Sequence, residues 1–164
     1  MLTIKNAYIN DIPEIRELTM QVWPHTYTPI LGTEQVAYMI DLFYAPDALQ
    51  KQMEDYHHRF ILCYDEGRAV GFASYGETSP DVFKLHKLYV LPELQGRGAG
   101  KFMVQHNADE LRSEGVKYLR LNVNRYNASA ITFYEKIGFK HHMEEDIDIG
   151  NGYFMNDHVL ELEL

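Results

Sequence analysis

Between Val82 and Lys136 an extended run, Val82 to Val90, gives way to a glycine-rich turn, a helix, a second extended run and a second helix. A strand that returns to its sheet in the same direction must cross over one face, and such crossovers are right-handed, so Val82–Val90 and Lys117–Val123 are expected as a parallel pair. The periodicities support each step. In Ala99 to Ser113, residues Met103, Val104, Asn107, Ala108 and Leu111 recur at i, i+1, i+4, i+5 and i+8, one mostly apolar helical face stopped by Gly115. Lys117 to Val123 alternates Tyr118 and Arg120 with Leu119 and Leu121, the period of a strand. Asn127 to Lys136 reads as the second helix, closed by Gly138.

The flanks read differently. Arg59 to Tyr64 and Ala69 to Tyr75 are extended runs joined by Asp65-Glu66-Gly67-Arg68, and Phe139 to Ile149 and Tyr153 to Leu164 are joined by Gly150-Asn151-Gly152; both are hairpin signals. Toward the amino end, Thr3 to Tyr8 is a short strand, and Asp11 with Pro13 and Glu14 starts a helix from Ile12. That helix is expected to stop at Val22, because Trp23-Pro24 restricts the backbone and removes a donor. Thr33 and Asp47 are expected to cap two more helices, Glu34 to Phe43 and Ala48 to Tyr56. The fold class that results is mixed α/β: a mostly antiparallel central sheet with one parallel crossover and helices on both faces.

At 164 residues, with no repeat and no Gly/Pro/Ser linker, the chain is expected to be one domain spanning 1–164. A hydrophobic share of 46% excludes disorder over most of its length. Its one cysteine, Cys63, lies in Phe60-Ile61-Leu62-Cys63-Tyr64, an apolar run that favours an inert buried thiol. The 24 acidic and 15 basic residues give a net charge of -9, which opposes phosphate backbones, so nucleic acid is not an expected partner. No stretch reaches the roughly 18 apolar residues of a membrane span, and Met1 to Asn6 lacks a basic segment leading into an apolar one. No membrane partner and a cytoplasmic location are expected.

The chemistry is expected at Leu88 to Lys101. Glycines at 96, 98 and 100 let successive backbone N–H groups turn inward, and the positive end of the following helix adds to the attraction for an anion. The loop is no Walker A motif, because the first glycine position holds Gln95 and the magnesium-binding hydroxyl position holds Phe102. A dinucleotide fingerprint fails as well, since Lys101 stands where a small residue is needed.

Two segments carry a family resemblance. Gln95-Gly96-Arg97-Gly98-Ala99-Gly100 resembles the Q/R-x-x-G-x-G/A signature of the GNAT superfamily of N-acetyltransferases, and Asn127 to Phe139 resembles its N-x-x-A-x-x-F-Y-x-x-x-G-F segment. The resemblance is strongest from Leu85 to Phe139; Trp23 to Tyr27 and Gly150 to Leu164 are similar in style to the polyamine-acetylating branch. It implies acetyl-CoA as acetyl donor and a bulge in the strand before the glycine turn, where that strand parts from its neighbour and receives the pantetheine arm. Leu88, Tyr89 and Val90 would then hold that arm, while Gln95, Gly96, Arg97, Gly98, Ala99, Gly100 and Lys101 would hold the pyrophosphate. Tyr134 would be the acid that protonates the departing thiolate, and Asn127, seven residues earlier, would share its cofactor-facing side. By themselves Tyr134 reads as a core aromatic and Asn127 as an N-cap.

His86, two residues before Leu88, is the base candidate, because an unperturbed imidazole, with a pKa of about 6.5, suits proton transfer near neutral pH. A water chain ending at Glu77 or at a tyrosine is the alternative. Neither His57-His58 nor His141-His142 suggests a metal, because neighbours on a strand point to opposite faces, so no metal is expected. Glu144-Glu145-Asp146 reads as a solvated face or a hold for a cation. Trp23, Tyr27 and Tyr38 could line an amine pocket through cation–π contacts, with packing against the sheet expected for at least two of them.

The expected function is transfer of an acetyl group to a small-molecule primary amine, plausibly a polyamine such as spermidine. The alternatives are a protein N-terminus or lysine as acceptor, or a CoA-binding regulatory module without turnover. The terminal strand pair offers an edge through which a homodimer could form.

Overall fold

The computed structural model covers residues 1–164. Strand β1 (Leu2–Ala7) is followed by a single 3-10 turn and three helices, α1 (Ile12–Leu31), α2 (Thr33–Tyr44) and α3 (Pro46–Glu54). Then come β2 (Arg59–Asp65), β3 (Arg68–Ser79), β4 (Val82–Val90), α4 (Ala99–Ser113), β5 (Tyr118–Asn124), α5 (Ala128–Lys136), β6 (Lys140–Gly150) and β7 (Tyr153–Glu163). The strand order is β1-β2-β3-β4-β5-β7-β6. As the crossover required, β4 and β5 run parallel, while β1–β2, β2–β3, β5–β7 and β6–β7 are antiparallel. No helix is long and apolar enough to cross a membrane.

The chain forms two compact units, Met1–Gly76 with Lys87–Asn107, and Glu77–His86 with Ala108–Leu164. In the first, β2 is buried continuously from Phe60 to Cys63, as a strand covered on both sides must be. β3 shows what covers it. Phe72 packs edge-on against Tyr44 of α2, while its neighbour Gly71 lies against Met103 of α4; adjacent strand residues face opposite ways, so helices do lie on both faces here. Burial pushes the Cys63 thiol up to about 11, which leaves it protonated and inert.

Helix α1 corrects the expected stop at Val22: it continues through Pro24 and Pro29 to Leu31. The reason is where the prolines sit. Both are exposed, and the carbonyls that lose their partners, on Met20 and His25, belong to exposed residues too. On the opposite side Ile15, Leu18, Val22 and Trp23 are buried, each worth roughly 1.5–3 kcal/mol, and this stripe holds the helix together across the missing bonds. Gly32, at φ 83°, ends α1 and opens α2, so Thr33 is the first helical residue rather than the cap. The third helix likewise begins before Asp47, at Pro46, a residue with φ preset for a first turn. Asp11 turns backward, accepting from Tyr8 N at 2.9 Å and Lys5 Nζ at 2.8 Å instead of capping α1.

In the second unit β5 keeps the expected alternation, with Leu119, Leu121 and Val123 buried. Its ladder with β4 runs from Val82↔Tyr118 to Leu85↔Leu121, although both strands continue further. β6 and β7 form a hairpin turned by Asn151 (φ 54°) and Gly152 (φ 79°), the two left-handed positions of a type I′ turn. β6 is the edge strand, mostly exposed, charged and interrupted by irregularities at His141/Met143 and Asp148/Gly150, devices that discourage further pairing.

Candidate active site

The first unit holds the glycine turn. β4 ends at Val90, Leu91 N bonds Val70 O at 2.9 Å, and a short 3-10 turn leads to Gln95, whose Nε2 donates back to Val90 O at 3.3 Å. Gly96 (φ 80°) and Gly98 (φ 93°) then take left-handed conformations that side chains disfavour. Nothing lies within 4 Å of where their Cβ atoms would be. The backbone is bare there. Phe102 N, bonding Gly98 O at 2.9 Å, is the first amide to close onto α4, so the amides of Ala99, Gly100 and Lys101 have no acceptor within the helix. With the positive helix end and the exposed cations Arg97 and Lys101, this turn fits a diphosphate of CoA type.

Gly71 is the residue the sequence reading passed over. A Cβ there would meet Tyr89 O at 2.5 Å, the Met103 methyl at 3.0 Å and Val90 Cα at 3.4 Å. Glycine therefore lets the end of β4, which carries the expected arm-binding residues Leu88, Tyr89 and Val90, approach β3 closely. An isolated glycine inside a strand pattern was the available signal. Trp23, Tyr27, Tyr44, Phe72 and Tyr89 form one aromatic group, with Trp23–Tyr27 centroids 4.4 Å apart, Trp23–Tyr89 5.9 Å and Phe72–Tyr89 5.6 Å. Trp23 Nε1 donates to Tyr44 Oη, and the Tyr27 and Tyr89 hydroxyls are 3.3 Å apart. Trp23 and Tyr27 thus serve as packing, and Lys87, 8% exposed, lies over the Tyr44 ring at 5.0 Å.

His86, Asn127 and Tyr134 belong to the second unit. Asn127 is the N-cap of α5: its Oδ1 accepts from Ala130 N at 3.3 Å and Ser129 Oγ at 3.2 Å, and its own N donates to Asn124 O. It is also buried, which an ordinary surface cap is not. Tyr134 is buried edge-on between Phe133 and Phe139, with centroids at 5.2 and 5.5 Å. The core reading of its ring is therefore met.

A further polar group in this unit joins Glu145, from the acidic run read as a solvated face or a hold for a cation, to two residues that the sequence did not single out. Asn122 Nδ2 donates to Glu145 Oε2 at 3.0 Å and to Asp157 Oδ2 at 3.3 Å, linking β5, β6 and β7. Asp157 is 5% exposed, and burial raises its carboxyl above the usual range, with the Asn122 bond and Lys84 opposing and Glu145 reinforcing. The residues share a sheet face: Lys84 pairs Arg120, Asn122 lies two further along β5, and His86 lies two further along β4. Of Glu144-Glu145-Asp146, only Glu145 points this way and is half-buried, while Arg125 takes Asp146 Oδ1 at 2.8 Å. A strand pattern read alone gave no sign that Asn122 and Asp157 meet, because 35 residues separate them.

The chain is 26% identical over 156 residues to an N-acetyltransferase of Mycobacterium tuberculosis, covering 95% of this chain and 99% of that one. It is 25% identical over 158 residues to the spermidine N(1)-acetyltransferase of Thermoplasma acidophilum, covering 94% and 95% of the two chains. The fold matches the crystal structure of PaiA N-acetyltransferase from Thermoplasma acidophilum in complex with coenzyme A, with a TM-score of 0.84, 23% identity, and coverage of 100% and 99%. The sequence profile of the Acetyltransferase (GNAT) family matches residues 12–139, which span α1, the glycine turn, Asn127 and Tyr134. The chain belongs to the GNAT family of acetyltransferases.

Proposed function

We propose that this acetyltransferase, one functional domain over residues 1–164, moves the acetyl group of acetyl-CoA directly onto a primary amine of a small polyamine such as spermidine. The observation that carries the choice of acceptor is the Asn122–Glu145–Asp157 group: two carboxylates, one of them buried, on the sheet face that also bears His86. A polycation can meet Glu145, the half-buried carboxylate, with a distal ammonium group while its reacting nitrogen is free, the charge of the buried Asp157 adding to the attraction. The net charge of -9 favours approach of such a molecule, and the relative named for spermidine acetylation supports the class.

Acetyl-CoA supplies an activated thioester, so the protein has to align an amine with it and manage two protons. The Leu88, Tyr89 and Val90 backbone would hold the pantetheine arm, and the Gln95-to-Lys101 turn the pyrophosphate. Asn127 would hold the cofactor side of α5 in place. His86 takes the proton that the ammonium must lose to expose its lone pair, the nitrogen bonds the acetyl carbon, the carbon–sulfur bond breaks as Tyr134 gives its phenolic proton to the sulfur, and the second proton on the new amide nitrogen returns through water to the Tyr134 phenolate. The experiment is CoA thiol release with spermidine, spermine, monoamines, amino acids and short peptides. Turnover confined to polyamines supports the reading; turnover confined to peptides replaces it with a protein acceptor.

A further inference from the structure

We propose that the β6–β7 hairpin carries a transition-metal site formed by His141, Glu144 and His158, suited to a borderline divalent ion such as Zn²⁺. The ligand atoms of these three side chains all lie within 4.8 Å of one another. The register explains how they meet. Residues 141 and 144 are an odd number of positions apart and would face opposite sides of a regular strand. Between His141 and Met143 the pairing shifts, so His142 is an extra residue, His141 stands opposite Leu160 and Glu144 opposite His158. Leu160 and His158 share one face of β7, and the bulge thereby puts both their partners on that face. His142 is turned elsewhere, 3.9 Å from Glu161, which is why the adjacent histidine pair is not itself the site.

The geometry is that of a metal set. His158 Nδ1 and Glu144 Oε1 are 3.4 Å apart, and two ligands at about 2.1 Å from a tetrahedral ion stand about 3.4 Å from each other. His158 Nδ1 is buried and makes no hydrogen bond, an unspent donor or acceptor aimed at the carboxylate. The two imidazoles, with centroids 5.1 Å apart, are inclined at 74° rather than stacked. Arg125 approaches the other carboxylate oxygen, Oε2, at 3.9 Å, while its short bonds go to Asp146 and the Glu145 carbonyl, so Oε1 remains for the ion. Two nitrogens and one oxygen suit Zn²⁺, Co²⁺ or Ni²⁺ over Ca²⁺ or Mg²⁺, and the exposure of His141 and Glu144 gives the ion an entry path and a water in its fourth position. The ion would tie β6 to β7. The site does not depend on the identity of the amine acceptor.

The test uses untagged, chelator-stripped protein titrated with Zn²⁺ by calorimetry and with Co²⁺ by visible absorption. One equivalent is expected to bind, with the Co²⁺ bands of a tetrahedral site. Affinity should fall at least about tenfold in His158→Ala, His141→Ala and Glu144→Gln, and should not change in His142→Ala. Histidine nitrogen NMR of the unaltered protein covers the case of a variant that fails to fold: Zn²⁺ should shift the His141 and His158 signals together. Absence of stoichiometric binding, binding that survives His158→Ala, or Zn²⁺ leaving both signals unmoved while protons titrate them overturns the proposal; in the last case the pair is only an ion pair with Glu144.

Discussion

A methyl group added at Gly71 would stand 2.5 Å from the Tyr89 carbonyl oxygen, a backbone atom with no rotamer to escape into. Gly71→Ala is therefore expected to cost about 1–3 kcal/mol of stability and to raise the KM for acetyl-CoA with less effect on kcat. Denaturant midpoints and initial-rate kinetics check both parts. Tyr134 makes a different demand. Its ring packs between Phe133 and Phe139, so Tyr134→Phe keeps the packing and removes only the hydroxyl. A fall in kcat of about 100-fold or more, with an unchanged circular dichroism spectrum, is expected if that hydroxyl is the acid. His86→Ala should also slow acetylation and move the pH at which the rate rises; an unmoved profile takes His86 out of the mechanism. Tyr134 and Asn127 were singled out by the N-x-x-A-x-x-F-Y resemblance, while their residue types alone indicated a core aromatic and an N-cap. Gly71 was legible only as an oddity, since the atoms it makes room for are on another strand.

At the scale of elements, the cap of α5 is buried rather than exposed. Asn127 closes the first turn of α5 through Ala130 N and is buried while doing so. Asn127→Ala is expected to cost about 1 kcal/mol of stability, the usual value of a lost cap. Asn127→Asp, which keeps an accepting oxygen, should restore that stability; a KM for acetyl-CoA that stays high in Asn127→Asp separates cofactor binding from capping. Strand and helix types came through the sequence well, and α4 has the bounds its periodicity indicated. The prolines of α1 did not. Proline forbids a helix locally, but the cost depends on whether the orphaned carbonyl reaches water and whether the opposite stripe is buried, and neither is visible in a local pattern. The bulge at His141/Met143 is hidden for the same reason: it exists only relative to β7.

For the molecule as a whole, the balance of charge and burial sets the response to pH. Asp157 holds its proton more tightly folded than unfolded, because burial penalises its charged form. As pH rises from about 3.8 through the folded-state value, the folded chain gives up a proton the unfolded chain has already lost, and stability falls across that window. Asp157→Asn should remove this slope and leave the protein more stable at neutral pH, measured as denaturant midpoints between acid and neutral pH. If it recognises the amine, the same variant should raise the KM for spermidine and leave that for acetyl-CoA alone. The sequence by itself determined the α/β class, the parallel crossover, the glycine turn and the helix bearing Asn127 and Tyr134, because each depends on contacts a few residues apart or on a backbone conformation that one residue type allows. Tertiary structure alone decided the continuation of α1, the closeness of β3 to the end of β4 at Gly71, the joining of Asn122, Glu145 and Asp157, and the grouping of His141 with Glu144 and His158. The strand contacts depend on register, and a shift of one residue would have turned each of those positions to the other face, while α1 depends on which of its sides is buried.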